Sequence, residues 1–211
     1  WYRAAIEYAD TQLAELVRWL EDRDELRNTI LVCTSDHGEH FGEHGMFTHS
    51  HYLFEQTLHV PLVTAGPGVP RGERRSDLVS LVDLFETLGD ILGAETPPTS
   101  GQSMFGDAQR DAVFAEYGTL YDEPEGHAKY LDGEAFESFR AGRKTVITDE
   151  HRFVVSANGE ETVYERTTDT EIVDPDGSLL ETLRERLFAT LSEEFHRPSS
   201  EPDLSAAVEE N

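Results

Sequence analysis

The run Cys33-Thr34-Ser35-Asp36-His37-Gly38-Glu39-His40-Phe41-Gly42-Glu43-His44-Gly45 sets a carboxylate beside an imidazole where an apolar strand gives way to a glycine-punctuated loop. Asp36 offers a hard oxygen and His37 a nitrogen, donors of the kind a divalent metal takes. Gly38 lets the backbone turn away with no Cβ in its path. In open α/β sheets ligands are held beyond the carboxyl ends of strands, and Asp36 and His37 stand at such an end, where a metal or an anion would bind. Without its surroundings, Asp36 would read as an Asx turn or a cap after the strand.

Histidine is concentrated here: six of the nine, at 37, 40, 44, 49, 51 and 59, fall between residues 37 and 59. His40-Phe41-Gly42-Glu43-His44 fits the inverted zinc-protease pattern H-x-x-E-H, which needs a helix to bring both histidines to one face. Gly38, Gly42 and Gly45 argue against such a helix, so His40, Glu43 and His44 read as loop-structuring or rim residues. His59, just before Val60-Pro61, reads as structural, and His127, His151 and His196 as surface residues.

The elements that must position these groups follow from periodicity. Ile6, Leu13, Leu16, Val17 and Leu20 recur at helical spacing, predicting an amphipathic helix over 3–21. Ile30, Leu31, Val32 and Cys33 form a continuous apolar run suited to an interior parallel strand covered on both faces, with Cys33 a buried, inert thiol. After the histidine loop, a helical turn over 53–57 leads to a second buried strand over 60–65, which Gly66-Pro67-Gly68 and Pro70 end. An exposed loop carrying Arg71, Arg74 and Arg75 follows. Ser80 and Asp83 predict a capping box before the apolar stripe Leu84, Phe85, Leu88, Ile91 and Leu92, with Gly93 as terminator. Further strands are predicted over 112–117, 144–148, 153–156 and 162–165, with turns at Asp149-Glu150 and Asn158-Gly159. A last amphipathic helix over 178–195 carries Leu179, Leu183, Leu187, Phe188 and Leu191.

In bulk the chain is acidic: 43 Asp and Glu against 17 Lys and Arg among 211 residues, a net charge of -26. Lysine occurs only at 129 and 144. That field repels nucleic acid and anionic membrane surfaces, so neither is an expected partner. The periodic apolar segments argue against disorder, which leaves adaptation to high salt as the reading of the acidity. No membrane span or signal peptide is visible. One cysteine permits no internal disulfide, consistent with a cytoplasmic setting. Trp1-Tyr2 opens straight into a helix with no initiator Met, so the chain is expected to begin past its natural N-terminus.

Several of these segments resemble, in order, the sulfatase family within the alkaline-phosphatase-like group of metal-dependent hydrolases. They are the Tyr2–Asp10 helix start, Ser35-Asp36-His37-Gly38-Glu39, and Phe41-Gly42-Glu43-His44-Gly45. Then come His49 to Glu55 leading into Leu58-His59-Val60-Pro61-Leu62-Val63, Gly66-Pro67-Gly68-Val69-Pro70, Leu78 to Leu84 with Thr87-Leu88, and Gly101-Gln102-Ser103. The resemblance spans residues 1 to 105 well and continues weakly to about 165. It implies an α/β fold: part of a mostly parallel sheet with flanking helices, followed by a small C-terminal antiparallel sheet and helix. The expected organisation is the C-terminal part of the catalytic domain over 1–118, an acidic excursion over 119–142, the small subdomain over 143–196, and a disordered tail over 197–211.

The resemblance further implies that Asp36 and His37 hold a divalent cation, calcium foremost, with Mg, Mn or Zn as alternatives. Family members often carry a Lys or His before the segment at Leu53-Phe54-Glu55 that contacts the anionic ester. The familiar Lys position falls on Ser50, so the role passes to a neighbouring histidine, His49 ahead of His51. The implied reaction is hydrolysis of a small-molecule or glycan sulfate ester. The family's formylglycine nucleophile comes from a C/S-x-P-x-R motif, and Cys33-Thr34-Ser35 does not open one. The nucleophile is therefore expected in an N-terminal half that would be this chain's partner, and the isolated chain is expected to be inactive. Two other readings stand beside it: a phosphodiesterase, phosphonate hydrolase or phosphotransferase of the same superfamily, and an inactive truncated remnant or split-protein partner.

Overall fold

The computed structural model describes residues 1–49, 52–118 and 141–195. In chain order its elements are Tyr2–Asp22 (α1), Leu31–Thr34 (β1), His40–Phe41 (β2), Phe47–Thr48 (β3), Glu55–Leu58 (α2), Leu62–Ala65 (β4) and Asp83–Leu92 (α3). Val113–Tyr117 (β5), Arg143–Ile147 (β6), His151–Ser156 (β7), Glu161–Glu165 (β8), Thr170–Glu171 (β9) and Gly177–Thr190 (α4) follow. Short 3-10 turns lie at Leu26–Asn28 and Glu43–Gly45. The residues divide into two units: 1–36, 60–76 and 81–108 in the first, and 37–59, 77–80 and 109 onward in the second. The expected excursion at 119–142 falls, up to residue 140, outside the described residues, as do the tail at 197–211, His51, His127 and His196.

In the first unit β1 and β4 pair antiparallel, Leu31 opposite Ala65 and Thr34 opposite Leu62. This corrects the expectation that the run Ile30 to Cys33 is an interior parallel strand: its partner β4 runs antiparallel. Among the described residues, the segment joining β1 to β4 holds β2, a 3-10 turn, β3 and the four-residue α2 in place of the single crossover helix that usually links parallel neighbours. Burial is corrected too: Val32, Cys33 and Thr34 are exposed, so Cys33 is not a core thiol. The stripe predicted for α1 is present, but Leu20 is its one buried residue, and Ile6 and Leu16 stand exposed.

α3 follows Val82 with no side-chain cap, replacing the capping box expected from Ser80 and Asp83. The Asp83 side chain is buried, and its Oδ1 accepts the Gln102 N–H at 3.0 Å. Thr87 Oγ1 donates to the Asp83 carbonyl at 2.6 Å and accepts the Met104 N–H at 2.9 Å. The Gly101-Gln102-Ser103 segment is thus strapped along the start of α3. Gly93 ends the helix in the left-handed region, with φ 63°. Glycine suits that C-terminal position because it has no Cβ to clash there.

The second unit is built on a five-stranded antiparallel sheet in the order β5-β6-β7-β8-β9. The expected small antiparallel sheet and helix are present, and the strand at 113–117 pairs with β6 as part of that sheet. The β7–β8 hairpin turns at Asn158-Gly159, where Gly159 has φ +89° and the Asn158 side chain accepts the Glu160 N–H. Val146, Phe153, Val155 and Val163 supply the sheet side of the core, and α4 closes it with Leu183 and Leu187. Asp176 caps α4, its carboxylate accepting the Ser178 N–H at 2.8 Å. That bond satisfies one of the donors left over in a first helical turn. Among the described residues no helix is long and apolar enough to cross a membrane.

Candidate active site

Ser35 Oγ donates to Asp36 Oδ1 at 3.4 Å just past the end of β1. In His37, Nδ1 lies 2.9 Å from the Gly38 carbonyl. A carbonyl oxygen only accepts, so Nδ1 carries the proton, and the neutral ring has its lone pair on Nε2. Metal-ligating histidines are oriented in this way, with the second ring nitrogen donating to a carbonyl or carboxylate. Gly38 is required by a close backbone approach: its N–H donates to the Thr57 carbonyl at 2.9 Å, and a Cβ there would lie 1.9 Å from the Gln56 carbonyl oxygen.

His49 meets His37 directly. The two rings stack with centroids 4.1 Å apart and planes 21° apart. His49 Nδ1 also lies 3.3 Å from Glu39 Oε2, a partner the motif reading left without a role. Of the four residues singled out in the sequence, His37 and His49 are in contact, Asp36 directly precedes His37, and His51 lies outside the described residues. Among the described residues no three or more His, Cys, Asp or Glu side chains group to hold a metal. Asp36 and His37 have suitable donor chemistry and, for His37, a suitable orientation. They are two donors, where calcium takes about six to eight oxygens.

His40 departs from its expected place as a loop or rim residue: it is 2% exposed, packed edge-on against Phe54 at 5.7 Å. Burial, reinforced by the neighbouring His44, pulls its pKa below the usual histidine value and keeps it neutral. The H-x-x-E-H stretch lies on β2 and a 3-10 turn, with no helix to align its histidines. Glu43 accepts the Phe41 N–H at 2.7 Å, and such backbone hydrogen bonds hold its carboxyl below the ordinary range.

His44 and Gln56 converge on a residue far along the chain. His44 Nε2 lies 2.6 Å from Asp169 Oδ2, and Gln56 Nε2 donates to the same oxygen at 3.0 Å. Arg152 Nη2 donates to Asp169 Oδ1 at 2.5 Å, and its Nη1 to the Leu53 carbonyl at 2.9 Å. The guanidinium lies 3.9 Å over the Tyr164 ring, and His44 stacks on Phe54 at 3.8 Å. Sequence reasoning missed this clamp. Its one local signal is Arg152, a charge inside the strand run 151–156; nothing near Asp169 announces a partner more than a hundred residues away. His59 is exposed and pairs with Glu55 at 2.9 Å. Arg71, Arg74 and Arg75 are exposed as expected, with Arg75 donating to the Met104 carbonyl at 2.8 Å.

The arrangement has counterparts among solved proteins. One, in complex with its substrate D-glucosamine-2-N,6-O-disulfate, superposes with a TM-score of 0.71 at 24% identity, covering 88% of this chain and 38% of that one. The phosphonate monoester hydrolase of Agrobacterium radiobacter matches with a TM-score of 0.65 at 26% identity, covering 90% of this chain and 43% of that one. The fold is that of the alkaline-phosphatase-like hydrolases. Residues 2–94 match the sulfatase family model. Arylsulfatase K of Canis lupus familiaris is 40% identical over 104 residues, and that of Homo sapiens 39% identical over 104 residues. Each alignment takes in 49% of this chain and 19% of the relative, so the chain spans about a fifth of the length of these relatives.

Proposed function

We propose that this chain supplies part of the catalytic domain of a sulfuric-ester hydrolase that cleaves a sulfate monoester with the help of a divalent cation. The observation that carries the reading is the sulfatase match over residues 2–94, which contains Asp36, His37 and His49. Asp36 and His37 would hold the cation as two of its donors, calcium foremost. When bound, such a cation polarises the ester oxygens as a Lewis acid. His49, stacked on His37, would donate a hydrogen bond to the anionic group or leaving oxygen in place of the lysine that Ser50 replaces. A sulfated small molecule or glycan fits this chemistry, and the disulfated glucosamine held by a protein of the same fold is a ligand of that class.

A second reading, hydrolysis of phosphonate monoesters, is supported by the 26% identical phosphonate monoester hydrolase aligned over 90% of the chain. The test is to express the whole reading frame that encodes this chain and assay aryl sulfate beside an aryl phosphonate monoester. Sulfate turnover that chelation abolishes and calcium restores is the expected result. His49→Ala should lower kcat about 10²–10³-fold, the cost of losing one transition-state donor. Turnover of the phosphonate alone would shift the reading to phosphoryl chemistry, and turnover of neither would remove it.

A further inference from the structure

Glu39 stands two residues after His37 and ten before His49, and its two carboxylate oxygens differ in their surroundings. Oε1 is buried with no hydrogen-bond partner among the described residues, while Oε2 is directed at His49 Nδ1, 3.3 Å away. Stacking on His37 sets the plane of the His49 ring but not which edge faces which way, because a half-turn about the Cβ–Cγ bond leaves the same plane. Something else must choose between the two flips.

We infer that Glu39 is a positioning residue: its carboxylate holds the Nδ1 edge of His49, so that Nε2 is the nitrogen presented to substrate. The argument is one of donor inventory. A carboxylate accepts and does not donate, so the His49 nitrogen facing it must be N–H. In the neutral ring that assigns the proton to Nδ1 and the lone pair to Nε2; donation to the ester takes the imidazolium, whose second N–H is on Nε2. His37 is held in the same tautomer, by the Gly38 carbonyl. The stacked pair is therefore two imidazoles, each pinned through Nδ1 by a different acceptor. A nucleophile or acid–base group whose partner is oriented by a third residue recurs across hydrolases. Here the loop's own Glu39 fills the third place, and the inference rests on the reading of His49 as the group that meets the ester.

The test is long-range proton–nitrogen spectroscopy of the protein encoded by the whole reading frame, labelled at histidine nitrogens, at a pH where the rings are neutral and with no substrate present. His49 is expected as the Nδ1–H tautomer. Glu39→Ala should shift its tautomer ratio about tenfold toward Nε2–H, the effect of losing one hydrogen bond to a charged acceptor. Glu39→Gln keeps an acceptor oxygen and should retain Nδ1–H. The His37 signal reports whether the loop stays folded, since its Gly38 partner is untouched. A wild-type His49 found mainly as Nε2–H would overturn the inference whatever the variants do, as would an unchanged His49 tautomer in a folded Glu39→Ala chain. Because no turnover is read, loss of the sulfatase reading and loss of the Glu39 role are distinguishable: the spectrum decides the second, and the ester assays decide the first.

Discussion

Asp169 and His44 lie 125 residues apart in sequence and 2.6 Å apart in space, and both hold left-handed backbone, at φ 52° and 54°. Non-glycine residues seldom adopt that conformation, and its cost is borne where surrounding contacts over-determine it. Here the contact is the carboxylate that also receives Gln56 and the buried Arg152. The segment carrying His49 is thereby fastened to the sheet at two places, His44 before it and Gln56 after it.

Breaking this clamp should be expensive. Arg152 is 1% exposed, so Asp169→Asn leaves a guanidinium in the interior without its counter-charge. The expected loss of unfolding free energy is about 3–5 kcal/mol. Urea unfolding would measure it, and a double-mutant cycle with Arg152→Met should show strong coupling. A loss below about 1 kcal/mol, the range of an exposed pair, would mean the ion pair contributes little.

The acid limb of stability should have two steps. Burial depresses the pKa of His40 below its ordinary 6.5, so the unfolded chain binds more protons than the folded one once pH falls below that value. Stability is full above 6.5 and declines as pH drops from there toward the folded pKa. For Asp169, burial raises the pKa, but hydrogen bonds from His44, Gln56 and Arg152 outweigh it and hold the carboxyl below its ordinary 3.8. Its contribution is present above 3.8 and lost as pH falls through the folded value. Melting temperature followed against pH should show both steps, and His40→Phe should erase the first. A pH-independent plateau reaching down to the onset of the Asp169 step would contradict the first.

Gly38 is the glycine whose replacement should cost most in the histidine loop. A Cβ would stand 1.9 Å from the Gln56 carbonyl oxygen. Gly38→Ala must therefore displace backbone, at about 1–3 kcal/mol. Gly118, with nothing among the described residues within 4 Å of an added Cβ, is the control. Gly118→Ala should change stability by no more than about 0.5 kcal/mol. Chemical denaturation of the two variants decides the comparison; equal effects would count against the close approach.

Salt should stabilise this protein. A net charge of -26 repels itself. Raising ionic strength from about 0.1 M to about 1 M shortens the screening length from about 10 Å to about 3 Å. Melting temperature is expected to climb through molar KCl. An optimum at low salt would remove the halophilic reading of the composition.

The sequence by itself determined the local elements and the order of the motifs. Helical and alternating periods placed α1, α3, α4 and β5 to β8 within a few residues. Gly93 and Asn158-Gly159 marked their turns because left-handed backbone has a residue preference that needs no tertiary context. The Asp36-His37-Gly38 run and the ordered segments around it carried the family resemblance for the same reason: they are short-range patterns. What tertiary structure alone decided is pairing and burial. An apolar run such as Leu31 to Cys33 does not specify whether its partner runs parallel or antiparallel, nor whether anything covers it. Here β4 pairs antiparallel and leaves Cys33 exposed. Asp83 reads as a cap because caps are local; its actual acceptor role toward Gln102, nineteen residues on, is not. Neither the Asp169 clamp nor the burial of His40 beneath Phe54 has a local signature. Both exist because the fold brings distant side chains within hydrogen-bonding and van der Waals reach, and those forces act over a few ångströms of space without regard to separation along the chain.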